Sequence, residues 1–371
     1  MRMSSGLGAW ALIVSTCLPG CSSPSNTFTL AAPHPVGRMS RNYVDETRSA
    51  WNGAGPRPLS ALVWYPATQG ILEADWFLGA PADPLFRLGR SAENAPPAEG
   101  RRPLIVLSHG TGGSAAMLAW LGEALARAGY LVAAVNHHGN TSAEPVPTPE
   151  GFMLWWERAT DVNRLLNRLE DDPQFGPLVD RGRIGAAGFS LGGYTVLAVA
   201  GARTSLEQWT AFCQSAARDS TCVAQPEFPD AITQFATIRN RDDIQTSLRH
   251  HGDSFRDARV RGVFAIAPVG SWLTEASLRD VGVPVWVVVG TRDTTAPAAS
   301  NARRIAGLVP GARFSLVAGA GHYTFLAECQ PLGRERRPDL CGDEPGLDRA
   351  AVHRSIAADA ATFFGSLSGP Q

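Results

Sequence analysis

The residues best suited to chemistry lie around Ser190, in the run Gly188-Phe189-Ser190-Leu191-Gly192. Residues 183–187 before this run read as a buried strand, and the apolar residues 194–200 after it read as a buried helix. A G-x-S-x-G turn between a strand and a helix is typical of a nucleophile elbow, in which a strained backbone lifts the serine hydroxyl out of the turn. A Cβ at position 188 or 192 would crowd the crossing strand and helix, so glycine is required there. We predict that Ser190 is a nucleophile for acyl transfer.

A candidate acid and a candidate base follow this serine along the chain. Asp293 comes directly after a strand pattern rich in valine, and His322 lies in a glycine-flanked segment after the next strand pattern. A serine nucleophile needs a general base, and that base needs a carboxylate to orient it. Of the eight histidines, only His322 and His353 lie beyond Asp293, and His353 falls within the terminal helical pattern. We therefore predict a catalytic set of Ser190, Asp293 and His322.

A glycine-rich loop upstream supplies the fourth component of such a site. Residues 103–108 read as a buried strand that runs into His109-Gly110-Thr111-Gly112-Gly113. This loop resembles the HG-rich loop of lipases and esterases, where a backbone N–H and that of the residue after the nucleophile bind the oxyanion. The predicted pair of donors is Thr111 and Leu191. For His109, a structural hydrogen-bonding role is favoured over that of a second base.

Several further segments carry a family resemblance: 63–67, 107–110, 136–141, 158–162, 257–260 and 321–323. They resemble those of bacterial α/β-hydrolases described as predicted dienelactone hydrolases, which are related to platelet-activating-factor acetylhydrolases. The resemblance implies an α/β-hydrolase fold, with a mostly parallel central sheet and helices on both faces. Dienelactone hydrolases proper use a cysteine nucleophile, whereas this chain has Ser190, so the expectation is a serine esterase.

An insertion of about residues 201–255 follows the nucleophile helix and is the candidate for a helical cap. It has helical patterns at 206–217 and 231–238. Such insertions often exclude water and shape the acyl pocket, and the alternative is a packed decoration remote from the site. Its aromatic residues are candidates for the pocket wall: Trp209, Phe212, Phe228 and Phe235. Trp155, outside the insertion, repeats at helical spacing with apolar neighbours and is predicted to lie in the core rather than to contact substrate.

Composition is that of one enzyme domain, which we place at residues 27–371. The chain has 371 residues, 44% hydrophobic and 18% charged, enough to bury a large core. A formal charge of −1 gives no basis for nucleic-acid binding. All 33 basic residues are arginine, which excludes Schiff-base, Walker A and kinase lysines. No dinucleotide or metal motif is present in the sequence, so neither a cofactor nor a metal is expected.

The N-terminus reads as a targeting segment. Arg2 precedes an apolar stretch from 7 to 18, too short to span a bilayer and typical of a signal peptide, here residues 1–20. The run Leu18-Pro19-Gly20-Cys21 resembles a bacterial lipobox, with Cys21 as the lipidated residue and residues 21–26 as a tether. We expect an exported protein, lipid-anchored to the cell envelope on the periplasmic or outer-membrane side. The alternative is a soluble secreted protein cleaved nearby.

Four further cysteines, which would lie in an oxidising compartment, allow three pairings: Cys213, Cys222, Cys329 and Cys341. The short spacings favour bonds between 213 and 222 and between 329 and 341. Free thiols are the alternative, and the spacing does not favour a metal site.

These observations lead to a set of function hypotheses. The first is a carboxylesterase that forms an acyl-enzyme with short acyl esters, and small-molecule or lipid esters are its expected partners. Within the same chemistry, a phospholipid acetylhydrolase or a polyester hydrolase is the alternative. A hypothesis of another class is a non-catalytic hydrolase fold that serves as a binding module.

Overall fold

A sheet of eleven strands runs through residues 33–367, the part of the chain that the computed structural model describes. The strands are β1 (Val36–Ser49), β2 (Pro56–Pro66), β3 (Ala74–Ala80), β4 (Asp83–Glu93), β5 (Arg102–Ser108), β6 (Leu131–Val135), β7 (Val179–Phe189), β8 (Val260–Ile266), β9 (Val285–Gly290), β10 (Arg313–Val317) and β11 (Glu328–Cys329). The expected signal peptide, the tether and Cys21 lie outside the described residues.

The sheet is parallel at its centre and antiparallel at one side. Its order is β10-β9-β8-β7-β5-β6-β2-β1-β4-β11, with β3 paired to β4. The six strands from β10 to β6 are parallel, and β2 and β1 continue the sheet in antiparallel pairs. All five residues of β6 are buried, as expected for a parallel strand covered on both faces.

Helices cover the two faces of this sheet. They are α1 (Ala119–Arg127), α2 (Pro149–Met153), α3 (Glu157–Asp171), α4 (Leu191–Val199), α5 (Leu206–Gln214), α6 (Ala231–Ile238), α7 (Asp242–Arg249), α8 (Glu275–Arg279), α9 (Ala302–Leu308), α10 (Pro331–Arg336), α11 (Pro338–Cys341) and α12 (Arg349–Gly365). Short 3₁₀ helices lie at Ala115–Leu118, Gly176–Leu178, Ser220–Cys222 and His322–Phe325. Helix α1 packs on α12 and α3 packs on α4, which completes the predicted α/β architecture. None of the helices within residues 33–367 is long and apolar enough to cross a bilayer.

The hairpin of β3 and β4 was not predicted, because it has little of the apolar alternation that marks a strand. Much of β3 is exposed. The buried carboxylate of Glu123 in α1 holds the hairpin by accepting hydrogen bonds from Trp76 Nε1 (2.7 Å), the Arg90 amide (2.6 Å) and Ser91 Oγ (2.7 Å). Burial raises the pKa of Glu123 above its ordinary value, and these donors act in the opposite direction. A long-range polar anchor therefore places this hairpin.

The insertion differs in detail from its sequence prediction. Helix α5 ends at Gln214, earlier than the predicted residue 217, and α7 is a third helix that the pattern did not indicate. A disulfide joins Cys213 at the end of α5 to Cys222, and a second joins Cys329 of β11 to Cys341 of α11. These are the two pairs that the short spacings favour.

Candidate active site

The turn between β7 and α4 holds Ser190 in a strained conformation. Ser190 has φ 56° and ψ −120°, a region that side-chain-bearing residues rarely adopt. Its amide donates to the Ile266 carbonyl at 2.9 Å, so the neighbouring strand β8 fixes the strained residue. A Cβ on Gly188 would collide with the Gly192 carbonyl, and one on Gly192 would collide with the Ser108 carbonyl. The close backbone approach explains why both positions are glycine.

The three residues predicted to form a catalytic set lie in one hydrogen-bonded row. His322 Nε2 is 2.9 Å from Ser190 Oγ, and His322 Nδ1 is 2.7 Å from Asp293 Oδ2. All three side chains are buried, each with less than a tenth of its surface exposed. The other Asp293 oxygen, Oδ1, accepts the amides of Thr295 (3.1 Å) and Ala296 (2.7 Å), which fixes the carboxylate. The arrangement orients the imidazole so that Nε2 can take a proton from the serine hydroxyl.

Two backbone amides beside Ser190 are free to bind an anionic oxygen. Within residues 33–367, neither the Thr111 nor the Leu191 amide has a hydrogen-bond partner. Leu191 is the first residue of α4, where the helix dipole favours negative charge. Both residues line the same cavity as Ser190. Their placement fits the predicted oxyanion donors. It arises because β5 and β7 are neighbouring parallel strands whose carboxyl ends lie side by side.

His109 uses both of its ring nitrogens within the protein. Nδ1 contacts the Gly110 carbonyl at 2.7 Å, and Nε2 accepts the His137 amide at 3.2 Å. Burial and the nearby Arg158 guanidinium lower the pKa of His109 well below its ordinary value. The ring is therefore neutral and occupied, which is the structural role that the sequence favoured.

An apolar cavity of about 290 Å³ opens above Ser190. Its walls include aromatic and aliphatic residues from the core and from the cap: Phe152, Trp155, Trp209, Phe228, Val269 and Trp272. The prediction that Trp155 lies in the core is confirmed, and the residue also lines the cavity. Trp155 is 6% exposed and packs on Trp209 and Trp272, with ring centroids 5.3 and 5.0 Å away, yet it also faces the cavity. Helical spacing cannot distinguish a core wall from a pocket wall.

The four aromatic candidates of the cap divide into two groups. Trp209 and Phe228 line the cavity, and Phe228 meets Phe152 edge to face at 5.2 Å. Phe212 and Phe235 are not among the described residues that line it, and Phe235 packs against the core. The insertion thus forms part of the cavity wall, as a cap does.

Three polar residues at the cavity were missed by sequence reasoning: Glu227, Tyr323 and Arg337. Glu227 lies on a cap loop so close to the oxyanion loop that a Cβ on Gly112 would meet its Cβ at 2.7 Å. Burial raises the pKa of the Glu227 carboxyl above its ordinary value, against the lowering effect of His322 and Arg337. Burial also raises the pKa of Tyr323 to about 12. A carboxyl on an irregular loop carries no periodic signal, so only the tertiary structure shows it.

The contact at Gly192 yields a stability prediction. We expect Gly192→Ala to lower the free energy of unfolding by about 3 kcal/mol, because its Cβ has no room against the Ser108 and His109 carbonyls. Gly307→Ala is the matched control, since its Cβ meets open space on helix α9 and alanine there stabilises by about 0.5–1 kcal/mol. Urea unfolding of both variants measures the difference. Equal stability of the two variants would contradict the close backbone packing.

Comparisons with known proteins place this site in a family. No curated protein sequence matches the chain. A ferulic acid esterase from Streptomyces cinnamoneus is similar in structure, with a TM-score of 0.60 and 23% sequence identity over 92% of this chain and 96% of that one. The likeness is one of fold. The sequence profile of the alpha/beta hydrolase family matches residues 105–333, from β5 to α10, and the chain therefore belongs to the alpha/beta hydrolase family.

Proposed function

We propose that this chain is a serine hydrolase that cleaves carboxylic esters through an acyl-enzyme. The observation that carries the proposal is the row of Ser190, His322 and Asp293, joined at 2.9 and 2.7 Å. Ser190 and His322 line an apolar cavity, as do Thr111 and Leu191, whose amides have no hydrogen-bond partner within residues 33–367. Such a site can activate the serine hydroxyl, bind the oxyanion that forms on the ester carbonyl oxygen, and exclude bulk water.

The proposed reaction has two halves. Ser190 Oγ attacks the ester carbonyl carbon while its proton passes to His322 Nε2, and Asp293 stabilises the imidazolium that forms. The amides of Thr111 and Leu191 bind the oxyanion. His322 then gives its proton to the leaving alcohol as the C–O bond breaks. A water molecule attacks the acyl-enzyme in the same way, releasing the carboxylic acid and restoring Ser190.

Short acyl esters are the proposed substrates, and the cavity supports this choice. Its volume suits a small acyl group, and its aromatic walls, including Trp209 and Trp272, favour an apolar one.

A polyester hydrolase or phospholipid acetylhydrolase is a second candidate, in keeping with the resemblance to the dienelactone hydrolase group. The observation that favours it is an exposed apolar rim, defined as Leu78, Val223 and Ile232, which are 39%, 62% and 53% exposed and line the cavity. Such a rim suits a substrate that extends out of the site or lies in an insoluble phase.

The first activity prediction concerns the partnership of nucleophile and base. We expect Ser190→Ala and His322→Ala each to abolish nearly all hydrolysis of p-nitrophenyl acetate, and the double variant to be barely worse than either, because triad members act as a unit. Initial rates with purified enzyme measure this. A double variant that lost the product of both single effects would break the assigned partnership. An inactive wild-type enzyme would instead favour the non-catalytic binding module.

A second prediction concerns the cavity wall. Trp209→Ala should shift the acyl-length preference towards longer chains, raising kcat/KM for long esters relative to acetate on the order of 10-fold, because it deepens the pocket. Phe212→Ala is the matched control on the same helix, since Phe212 does not line the cavity. A series of p-nitrophenyl esters from acetate to decanoate, measured with both variants, gives the profile. The same shift in both would remove Trp209 from the acyl pocket.

For location, we propose export and lipid anchoring, with residues 1–20 as signal peptide, 21–26 as tether and the hydrolase domain following. Support comes from the apolar segment that ends at Gly20-Cys21 and from two disulfides, which are typical of exported proteins.

We expect Cys21→Ser to release the protein from membranes in a detergent-partition assay without changing kcat. Cys21→Ser protein that stays with the membrane would contradict the lipid anchor.

A further inference from the structure

Two of the segments that carry the family resemblance contribute no proposed catalytic residue but contact the oxyanion loop. They are residues 136–141, after β6, and 158–162, in helix α3. In the structure both reach the same place, the segment 108–115 that includes the oxyanion loop. Their side chains hydrogen-bond to this segment, in contacts that the proposed mechanism does not use.

The first set of contacts fixes the start of the loop. Ser108 Oγ is 2.8 Å from His137 Nε2, and His137 Nδ1 is 2.9 Å from Asp161 Oδ2. The row repeats the serine, histidine, carboxylate order of the proposed catalytic set, but Ser108 is fully buried and does not line the cavity. Burial lowers the pKa of His137 to about 4, so the ring is neutral. Because Nδ1–H donates a hydrogen bond to Asp161, Nε2 accepts a hydrogen bond from the Ser108 hydroxyl.

A charged network keeps this row in place. Asp161 Oδ1 accepts from Arg48 Nη2 at 2.5 Å. Burial raises the pKa of the Asp161 carboxyl, but Arg48, the hydrogen bond from His137 and Arg57 together lower it below its ordinary value. Arg158, one turn before Asp161 in α3, donates through Nη2 to the His109 carbonyl. Helix α3 therefore holds the start of the loop in two ways. Arg158 binds the His109 backbone directly, and Asp161 reaches the Ser108 side chain through His137.

The second set of contacts fixes the loop itself. The Gly112 amide donates to Asn140 Oδ1 at 2.6 Å, and the Ala115 amide donates to Asn136 Oδ1 at 2.9 Å. Asn140 is held in turn, because its Nδ2 donates to the Gly151 carbonyl at 3.1 Å. The amide of Thr111, directly before Gly112, has no partner within residues 33–367.

We propose that Asn140 is a positioning residue for ester hydrolysis, which holds the Thr111 amide at the oxyanion by fixing the next peptide unit. The row of Ser108, His137 and Asp161 anchors the same loop at its start. The inference rests on the proposed function of Ser190. Three glycines give this loop wide conformational freedom, and Gly112 has φ +60°, so an untied loop would present the Thr111 N–H in many directions. Oxyanion stabilisation needs donors that are fixed before the reaction.

The kinetic test uses two loop variants and one remote control. Asn140→Leu keeps the size of the side chain and removes both hydrogen bonds, and Ser108→Ala is a milder change at the loop start. We expect Asn140→Leu to lower kcat by about 10- to 100-fold with KM within threefold, and Ser108→Ala to lower kcat by a smaller factor, because small misplacements of a catalytic group cost rate. Asn163→Ala removes a hydrogen bond from α3 to the Phe255 carbonyl, remote from the cavity, and should leave kcat unchanged.

A transition-state analogue separates positioning from loss of fold. An alkyl boronic acid forms a tetrahedral adduct with Ser190 that places an oxygen at the oxyanion site, so its Ki should rise by the same factor as kcat/KM falls. Hydrogen exchange of the peptide containing residues 108–115 should speed up in Asn140→Leu without change elsewhere.

Three outcomes would overturn the inference. They are an unchanged kcat in folded Asn140→Leu, an unchanged boronate Ki beside a lowered kcat, or a loss of kcat that follows the thermally unfolded fraction. A wild-type enzyme that hydrolysed no ester would contradict the proposed function instead, and loop exchange would still test the role of Asn140.

Discussion

The site depends on one close backbone contact, where the turn from β7 to α4 crosses the end of β5. Gly192 lies against the Ser108 carbonyl, so the residue after the nucleophile and the first residues of the oxyanion loop occupy fixed relative positions. The same contact leaves Ser190 with a φ of 56°, held by its hydrogen bond to β8. Strain of this kind persists only where the surroundings over-determine the backbone. Here the neighbouring parallel strands β5, β7 and β8 supply that constraint, and beside Ser190 the Thr111 and Leu191 amides have no hydrogen-bond partner in the described part of the chain.

Next to this contact lies a polar layer, which consists of the buried side chains of His137, Asn140, Arg158 and Asp161. Burying charged groups costs free energy unless each is paired and hydrogen-bonded, and Asp161 meets both conditions through Arg48 and His137. Apolar side chains of the same size could fill the space. They could not accept the Gly112 amide or donate to the His109 carbonyl, which a glycine-rich loop requires if it is to keep one shape. The layer is better explained by specification of the loop than by gain in stability.

The sequence predicted what is set by local pattern. Ser190, Asp293 and His322 each follow a strand pattern. Because the strands of a parallel sheet end at a common edge, these patterns predicted that the three side chains lie close together. The hairpin β3–β4 could not be predicted, because its anchor, Glu123, is distant in sequence and reads as an ordinary helical glutamate. Trp155 lies in the core, as its spacing predicted, but that spacing could not show that a buried residue also lines the cavity. Asn140 and Asp161 lay in segments singled out by resemblance, but only the structure shows that both bear on the loop.

The sheet carries Ser190 and the two amides, whereas the cap supplies part of the cavity wall, and this arrangement has a physical reason. The proposed reaction requires Ser190 and the two amides to be placed to a fraction of an ångström, and they come from backbone at the carboxyl ends of the strands, where neighbouring strands restrict motion. The cavity walls come partly from the insertion, through Trp209, Phe228 and Glu227. Apolar contact tolerates shifts that an oxyanion hydrogen bond does not, because dispersion is spread over many atom pairs while a hydrogen bond depends on one distance and angle. The Cys213–Cys222 bond closes a short loop between α5 and the loop that bears Glu227, and it therefore restrains the path of the cap beside the cavity.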